Sequence, residues 1–187
     1  MHRGQGPGFD RFMTSIPIPT LRACSRDDAL ALAQIGQATF LDAYADVLPG
    51  ADILAHCQTQ NSPALYAEWL ARPGYRFWLA ETATGAPVGF AMTCPPDLPV
   101  AIEPGDVELK RIYLLHRFQG TGTGAALMAR ALEAAKADGF QRLLLGVYAE
   151  NTGALGFYAR QGFTQVGVRT FRVGANDYDD LVLGRGV

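Results

Sequence analysis

Cysteine and histidine are scarce in this chain, three of each in 187 residues. Cys24, Cys57 and Cys94 are odd in number, far apart and form no CxxC, and His2, His56 and His116 do not cluster. That excludes a disulfide framework and a zinc site of ordinary ligand spacing. Reduced thiols, a cytoplasmic location and no bound metal are expected. No run reaches the ~18 apolar residues of a membrane helix, so no membrane partner is expected. Charge of one sign is missing too. Lys and Arg number 16 and Asp and Glu 18, a net charge of −2. A field this weak cannot grip a nucleic-acid backbone, and no nucleic-acid partner is expected. Any anion the protein binds must be held by local geometry.

What remains is a globular composition, 49% hydrophobic and 18% charged. The length suits one domain with a sizeable core. Residues 1–16 carry Gly4, Gly6, Pro7 and Gly8 but no apolar h-region. They read as a flexible N-terminal extension rather than a secretory signal, leaving 17–187 as a single domain.

The periodicity is helical first. Ser25 with Asp28 three residues on makes an approximate capping box for a helix over about 26–45, closed by Pro49-Gly50. A second helix is expected over 51–59, and Ser62-Pro63 is an N-cap and N1 pair for a third. The period then shortens. Tyr75–Glu81 and Ala86–Cys94 read as a hairpin, and Val107–Leu115 as a strong strand. Strict alternation along that strand puts Glu108, Lys110, Ile112 and Leu114 on one face and Leu109, Arg111, Tyr113 and Leu115 on the other. A helix follows to Asp138, stopped by Gly139. Arg142–Tyr148 is a continuous apolar run expected as a central strand. Asn151 or Thr152 caps another helix, and two final strands surround Gly174-Ala175-Asn176. The class is α+β.

Between the strong strand and its helix lies His116-Arg-Phe-Gln119-Gly120-Thr121-Gly122-Thr123-Gly124-Ala125. Alternate glycines let the backbone curl and leave no Cβ over the amides. The free N–H groups of the helix start then make an anion cradle suited to a pyrophosphate. No Gly-Lys-Ser/Thr follows, so a P-loop is excluded. Gly120, Gly122 and Ala125 satisfy the dinucleotide fingerprint. However, the turn comes late in the chain, and Glu150 lies 30 positions on rather than the ~20 that a ribose contact wants. Coenzyme A is the third candidate, and a turn that merely connects strand and helix is the bland one.

Gln119-x-x-Gly122-x-Gly124 resembles the Gln/Arg-x-x-Gly-x-Gly/Ala signature of the GNAT superfamily of N-acetyltransferases. Asn151, Ala154, Phe157-Tyr158 and Gly162-Phe163 are similar to that family's second signature. The resemblance covers about 21–183 and is strongest over 107–163. It implies a GNAT-like fold: a central, mixed, mostly antiparallel sheet of about seven strands with splayed central strands, flanked by four or five helices. It implies acetyl-CoA as cosubstrate and an amine acceptor, expected to be a small molecule, and it leaves a homodimer open. By resemblance the amides of Gln119, Gly120, Thr121, Gly122, Thr123, Gly124 and Ala125 hold the pyrophosphate. The backbone of Ile112, Tyr113 and Leu114 pairs with the pantetheine arm, and Asn151 hydrogen-bonds the pantetheine or the substrate side. Glu108 is the general base and Tyr158 stands near the thioester sulfur. A non-catalytic acyl-CoA-binding sensor is the alternative.

The chemistry suits such groups. An amine with a pKa near ~10.4 is neutral about once in 2,500 molecules at pH 7. A carboxylate, directly or through water, removes that cost. A phenol of pKa ~10 keeps a proton to offer the leaving sulfur, and no covalent nucleophile is needed.

Overall fold

The computed structural model describes residues 17–187. The expected N-terminal extension, residues 1–16, lies outside the described residues. The chain enters through a short edge strand, β1 (Thr20–Ala23), and a single 3-10 turn, Arg26–Asp28. Ser25 and Asp28 form the capping box that their spacing predicts. Arg22 bridges Asp28 and Glu81 at 2.6 and 2.8 Å, which ties the strand to the turn. The helix α1 (Ala29–Tyr44) then runs on, its buried side built from Leu32, Ala33, Ile35, Gly36, Thr39 and Phe40. Two shorter helices follow, α2 (Gly50–Gln60) and α3 (Pro63–Ala71). The Ser62 hydroxyl accepts the Leu65 N–H at 3.2 Å and Pro63 occupies N1, where a missing N–H costs nothing.

The antiparallel hairpin of β2 (Arg76–Glu81) and β3 (Pro87–Cys94) leads into β4 (Asp106–Leu114). Then come α4 (Thr123–Ala137), β5 (Arg142–Tyr148), α5 (Thr152–Arg160), β6 (Thr164–Val173) and β7 (Asn176–Gly186). One seven-stranded sheet results, in the order β1-β2-β3-β4-β5-β7-β6. Every pairing is antiparallel except β4 with β5. The α+β class, the seven strands and the five helices are those the sequence and the resemblance imply.

Apolar side chains fill both faces. On one, α4 and α5 bring Leu127, Met128, Ala131 and Tyr158 against Leu143, Leu145 and Val147 of β5. On the other, α1 and α3 cover Phe77, Leu79, Phe90 and Met92.

Two irregularities create the site. The parallel ladder holds for only three residue pairs, ending at Glu108 with Leu144. Beyond it β4 and β5 part, although both strands continue. The second irregularity corrects the strict alternation expected for β4. Met92 opposes Arg111 while Thr93 opposes Leu109, so Lys110 is an extra residue in the ladder. A bulge of this kind re-phases the strand. Glu108 therefore shares the α1–α3 face with Arg111 and Tyr113, whereas Ile112 joins Val107 and Leu109 on the α4 face.

Candidate functional site

The glycine turn opens α4. Gly122 is its N-cap at φ 89° with no side-chain cap, and Gly120 sits at φ 74°. Both conformations suit glycine and strain any other residue. A Cβ at either position would meet nothing within 4 Å, so the space over them is open. The Thr121 hydroxyl donates to the Phe118 carbonyl at 2.7 Å and meets the Thr123 hydroxyl at 2.8 Å. The threonines thus brace the loop instead of capping the helix. That leaves the first-turn N–H groups of Thr123, Gly124 and Ala125 for a ligand, with the positive end of the helix dipole behind them. A Cβ at Gly124 would lie 3.8 Å from the Phe157 ring, where α4 and α5 meet. The arrangement fits a pyrophosphate without displacing any side chain.

Beside the cradle runs the free edge of β4. Leu115 donates its N–H to Val88 at 3.0 Å. Peptide groups alternate along a strand, so Tyr113 turns its backbone to β3 while Ile112 and Leu114 turn theirs to the gap left by β5. The Gln119 amide donates to the Leu114 carbonyl at 3.3 Å, joining strand and turn.

Tyr158 comes from the α4–α5 side, buried and edge-on to Phe157 and Phe163. Burial first, and the nearby Tyr113 hydroxyl second, push its pKa well above that of an ordinary phenol. Tyr113 belongs to the opposite face of the sheet, packed with the α1–α3 cluster. No described residue hydrogen-bonds the Tyr158 hydroxyl. Among the described residues no sealed side-chain polar atom lacks a partner, so this hydroxyl reaches open space. Asn151 caps α5 by accepting the Ala154 N–H at 3.0 Å.

Glu108 is 1% exposed, on the far side of the sheet from Tyr158. Its Oε2 accepts the Asp97 N–H at 2.8 Å and its Oε1 lies 3.6 Å from Lys110 Nζ. The carboxylate is therefore fixed where β4 and β5 begin to part. Glu108 thus stands where the β4–β5 ladder ends and the free edge of β4 begins, while Asn151 and Tyr158 both belong to α5.

Sequence reasoning missed a second polar group on the α1 side of the opening. Arg169 of β6 pairs with buried Asp180 of β7 at 2.8 Å. Burial raises the Asp180 carboxyl, against the pull of Arg169. Tyr113 and then burial hold the Tyr44 hydroxyl protonated, and Asp180 adds to that. The signal for this group was Gly146, an isolated glycine inside an otherwise apolar strand, which marks a close approach of another group.

Among the described residues no cluster of three or more His, Cys, Asp or Glu is grouped to hold a metal, and no helix is long and apolar enough to cross a membrane.

Comparison with known proteins converges. The family model described as the acetyltransferase (GNAT) family matches residues 41–163. An N-acetyltransferase of Mycobacterium tuberculosis, described as uncharacterized, is 38% identical over 158 residues, 84% of this chain and 97% of its own. Another from Lactobacillus delbrueckii subsp. lactis is 28% identical over 165 residues, 87% of this chain and 94% of its own. Of solved structures, the PaiA N-acetyltransferase of Thermoplasma acidophilum in complex with coenzyme A matches with a TM-score of 0.69 at 18% identity, over 90% of this chain and 99% of its own. The ribosomal-protein-alanine N-acetyltransferase of Brucella melitensis matches with a TM-score of 0.67 at 21% identity, over 90% and 99%.

Proposed function

This chain belongs to the GNAT family of acetyltransferases, and we propose that it moves the acetyl group of acetyl-CoA to the primary amine of a small molecule by direct attack within a ternary complex. Acetyl-CoA as cosubstrate follows from the family and from the coenzyme A complex of the Thermoplasma neighbour. One observation carries the assignment of the site. β4 leaves β5 after Glu108 and so exposes a strand edge beside the uncapped start of α4. An extended pantetheine arm can add to that edge as a strand does, with its pyrophosphate on the amides from Gly120 to Ala125; the Gln119 N–H, expected among them, is instead given to the His116 carbonyl at 3.0 Å.

The amine nitrogen attacks the thioester carbonyl carbon and its surplus proton leaves towards Glu108. Neutralising the ammonium at pH 7 costs about 4.6 kcal/mol, which is the cost the carboxylate offsets. Glu108 is buried and its Oε2 already holds the Asp97 N–H, so a water relays that proton. The Ile112 N–H, turned into the gap, supports the oxyanion that develops. The carbon–sulfur bond then breaks. With its pKa raised by burial, Tyr158 serves the departing sulfur as a hydrogen-bond donor, and the acceptor's proton balances the thiol.

The test is an amine-dependent thiol assay. Free coenzyme A thiol should appear in step with acetylated amine, and no acetyl-enzyme should accumulate when amine is omitted. An acetylated protein isolated from acetyl-CoA alone would overturn direct transfer.

A further inference from the structure

Gly146 sits in the middle of β5, where its neighbours Leu145 and Val147 are buried and apolar. The reason for a glycine is Arg169. A Cβ at position 146 would lie 2.5 Å from the guanidinium carbon and 2.6 Å from Nη2. The guanidinium therefore lies flat against the strand at the edge of the opening. Gly146 is two residues, or roughly 7 Å, beyond Leu144, the register partner of Glu108.

The group is held on several sides. Its Nε and Nη2 both donate to one oxygen of Asp180, at 2.9 and 2.8 Å. The Phe171 ring lies 5.1 Å from its central carbon. Asp180 is 5% exposed at its side chain but Arg169 is 21% exposed, so an arriving ligand meets the arginine. Both anchoring bonds use the same edge of the fork, and no described residue accepts from Nη1. A hollow of about 500 Å³ opens here, with Pro99, Arg169 and the carboxylates of Asp179 and Asp180 in its wall.

We infer that Arg169 is a specificity-determining residue that binds an anionic group of the acceptor, a carboxylate or a phosphonate close to the reacting amine. The inference rests on the acetyltransferase reading and narrows its substrate class to amines that carry such an anion. A planar guanidinium with a free terminal nitrogen matches an oxyanion. Asp180 fixes that fork in place and offsets the cost of burying its charge. In a protein of net charge −2 an anion needs a local holder of this kind. With its anion on Nη1, a short amino acid can direct its amine back along β5 towards the gap between Gly146 and Ile112.

The experiment uses matched sets: α-amino acids, the amines left when their carboxylate is removed, the corresponding aminophosphonates, and dipeptides whose amine is remote from a carboxylate. The wild-type protein should favour the first or third set by about 10- to 100-fold in kcat/KM, expressed mainly in KM. The Arg169→Gln variant should lose that preference while its rate with the plain amines and its affinity for coenzyme A stay within a few-fold. Gly146→Ala keeps the charge but displaces the guanidinium, and should lose the preference too. Equal or better rates with plain amines, or a preference that survives both variants, would overturn the inference while the transferase assignment stands. Loss of coenzyme A binding and of all amine-dependent thiol release in the wild type would instead strike at the transferase assignment itself.

Discussion

Glu108 Oε2 accepts the backbone N–H of Asp97 at 2.8 Å, across the loop that joins β3 to β4. One oxygen of the carboxylate is thereby committed to structure, and the other faces Lys110 at 3.6 Å. A side chain 1% exposed and tethered in this way cannot swing to meet the acceptor.

Glu108→Gln tests its role. The glutamine amide can present its oxygen to Asp97, so the fold should persist. Basicity is lost. We expect kcat to fall by roughly 10²-fold at pH 7 and to recover partly as pH rises and the amine deprotonates on its own. A rate equal to wild type at neutral pH would reduce Glu108 to a loop anchor.

Gly122→Val tests the cradle. Its Cβ meets no protein atom, so internal clash is not the issue. The cost is a φ of 89° forced on a β-branched residue, about 1–2 kcal/mol, and a side chain standing where the pyrophosphate would lie. Affinity for acetyl-CoA should fall at least 10-fold in calorimetry while circular dichroism stays that of a folded protein. Unaltered affinity would remove the turn from the coenzyme site.

His56 sets a pH limit on stability. It stacks on Phe40 at 4.1 Å between ring centroids, and burial, with Arg111 adding, lowers its pKa to about 4. The unfolded chain binds that proton near pH 6.5, the native one only near 4. Between those values the unfolded state holds more protons, so stability is full above about 6.5 and declines as pH falls towards 4. His56→Phe keeps an aromatic ring on Phe40 and removes the titration. The difference in urea midpoint between pH 7 and pH 4.5 should therefore be smaller in the variant. An identical difference would show that another group governs the acid limb.

The legible parts of this protein are the ones written locally. Ser25, Ser62-Pro63, Gly139 and Asn151 each act within a few residues of themselves, and the element boundaries around them follow the sequence to within a few positions. The glycine turn was legible as a turn for the same reason, and Gly120 and Gly122 at positive φ do open α4. The bulge at Lys110 was not. It depends on how β3 and β4 pair, and no residue type in Leu109-Lys110-Arg111 demands it. Arg169 escaped notice because its meaning comes from Gly146 and Asp180, 23 and 11 positions away, which only the β5-β7-β6 pairing brings together.

Tyr158→Phe tests whether the Tyr158 hydroxyl does anything beyond what its packed ring does. The ring is 8% exposed and sits edge-on to Phe157 and Phe163, so packing alone explains an aromatic residue at this place. Packing does not explain the hydroxyl. No described residue hydrogen-bonds it, so the fold gains no internal hydrogen bond from its being polar. Tyr158→Phe removes that one group, and stability should change by less than about 1 kcal/mol. If the hydroxyl supports the departing sulfur, kcat should fall by roughly 10- to 10³-fold with acetyl-CoA affinity held within a few-fold. A joint collapse of rate and affinity would make it a coenzyme-binding group. An unchanged rate would leave the ring to the core and the sulfur to a water molecule. Burial has already raised this phenol above its ordinary pKa, so the wild-type rate should show no downturn at pH 9 from its ionisation. The profile there should instead follow the acceptor amine and the carboxylate that receives its proton.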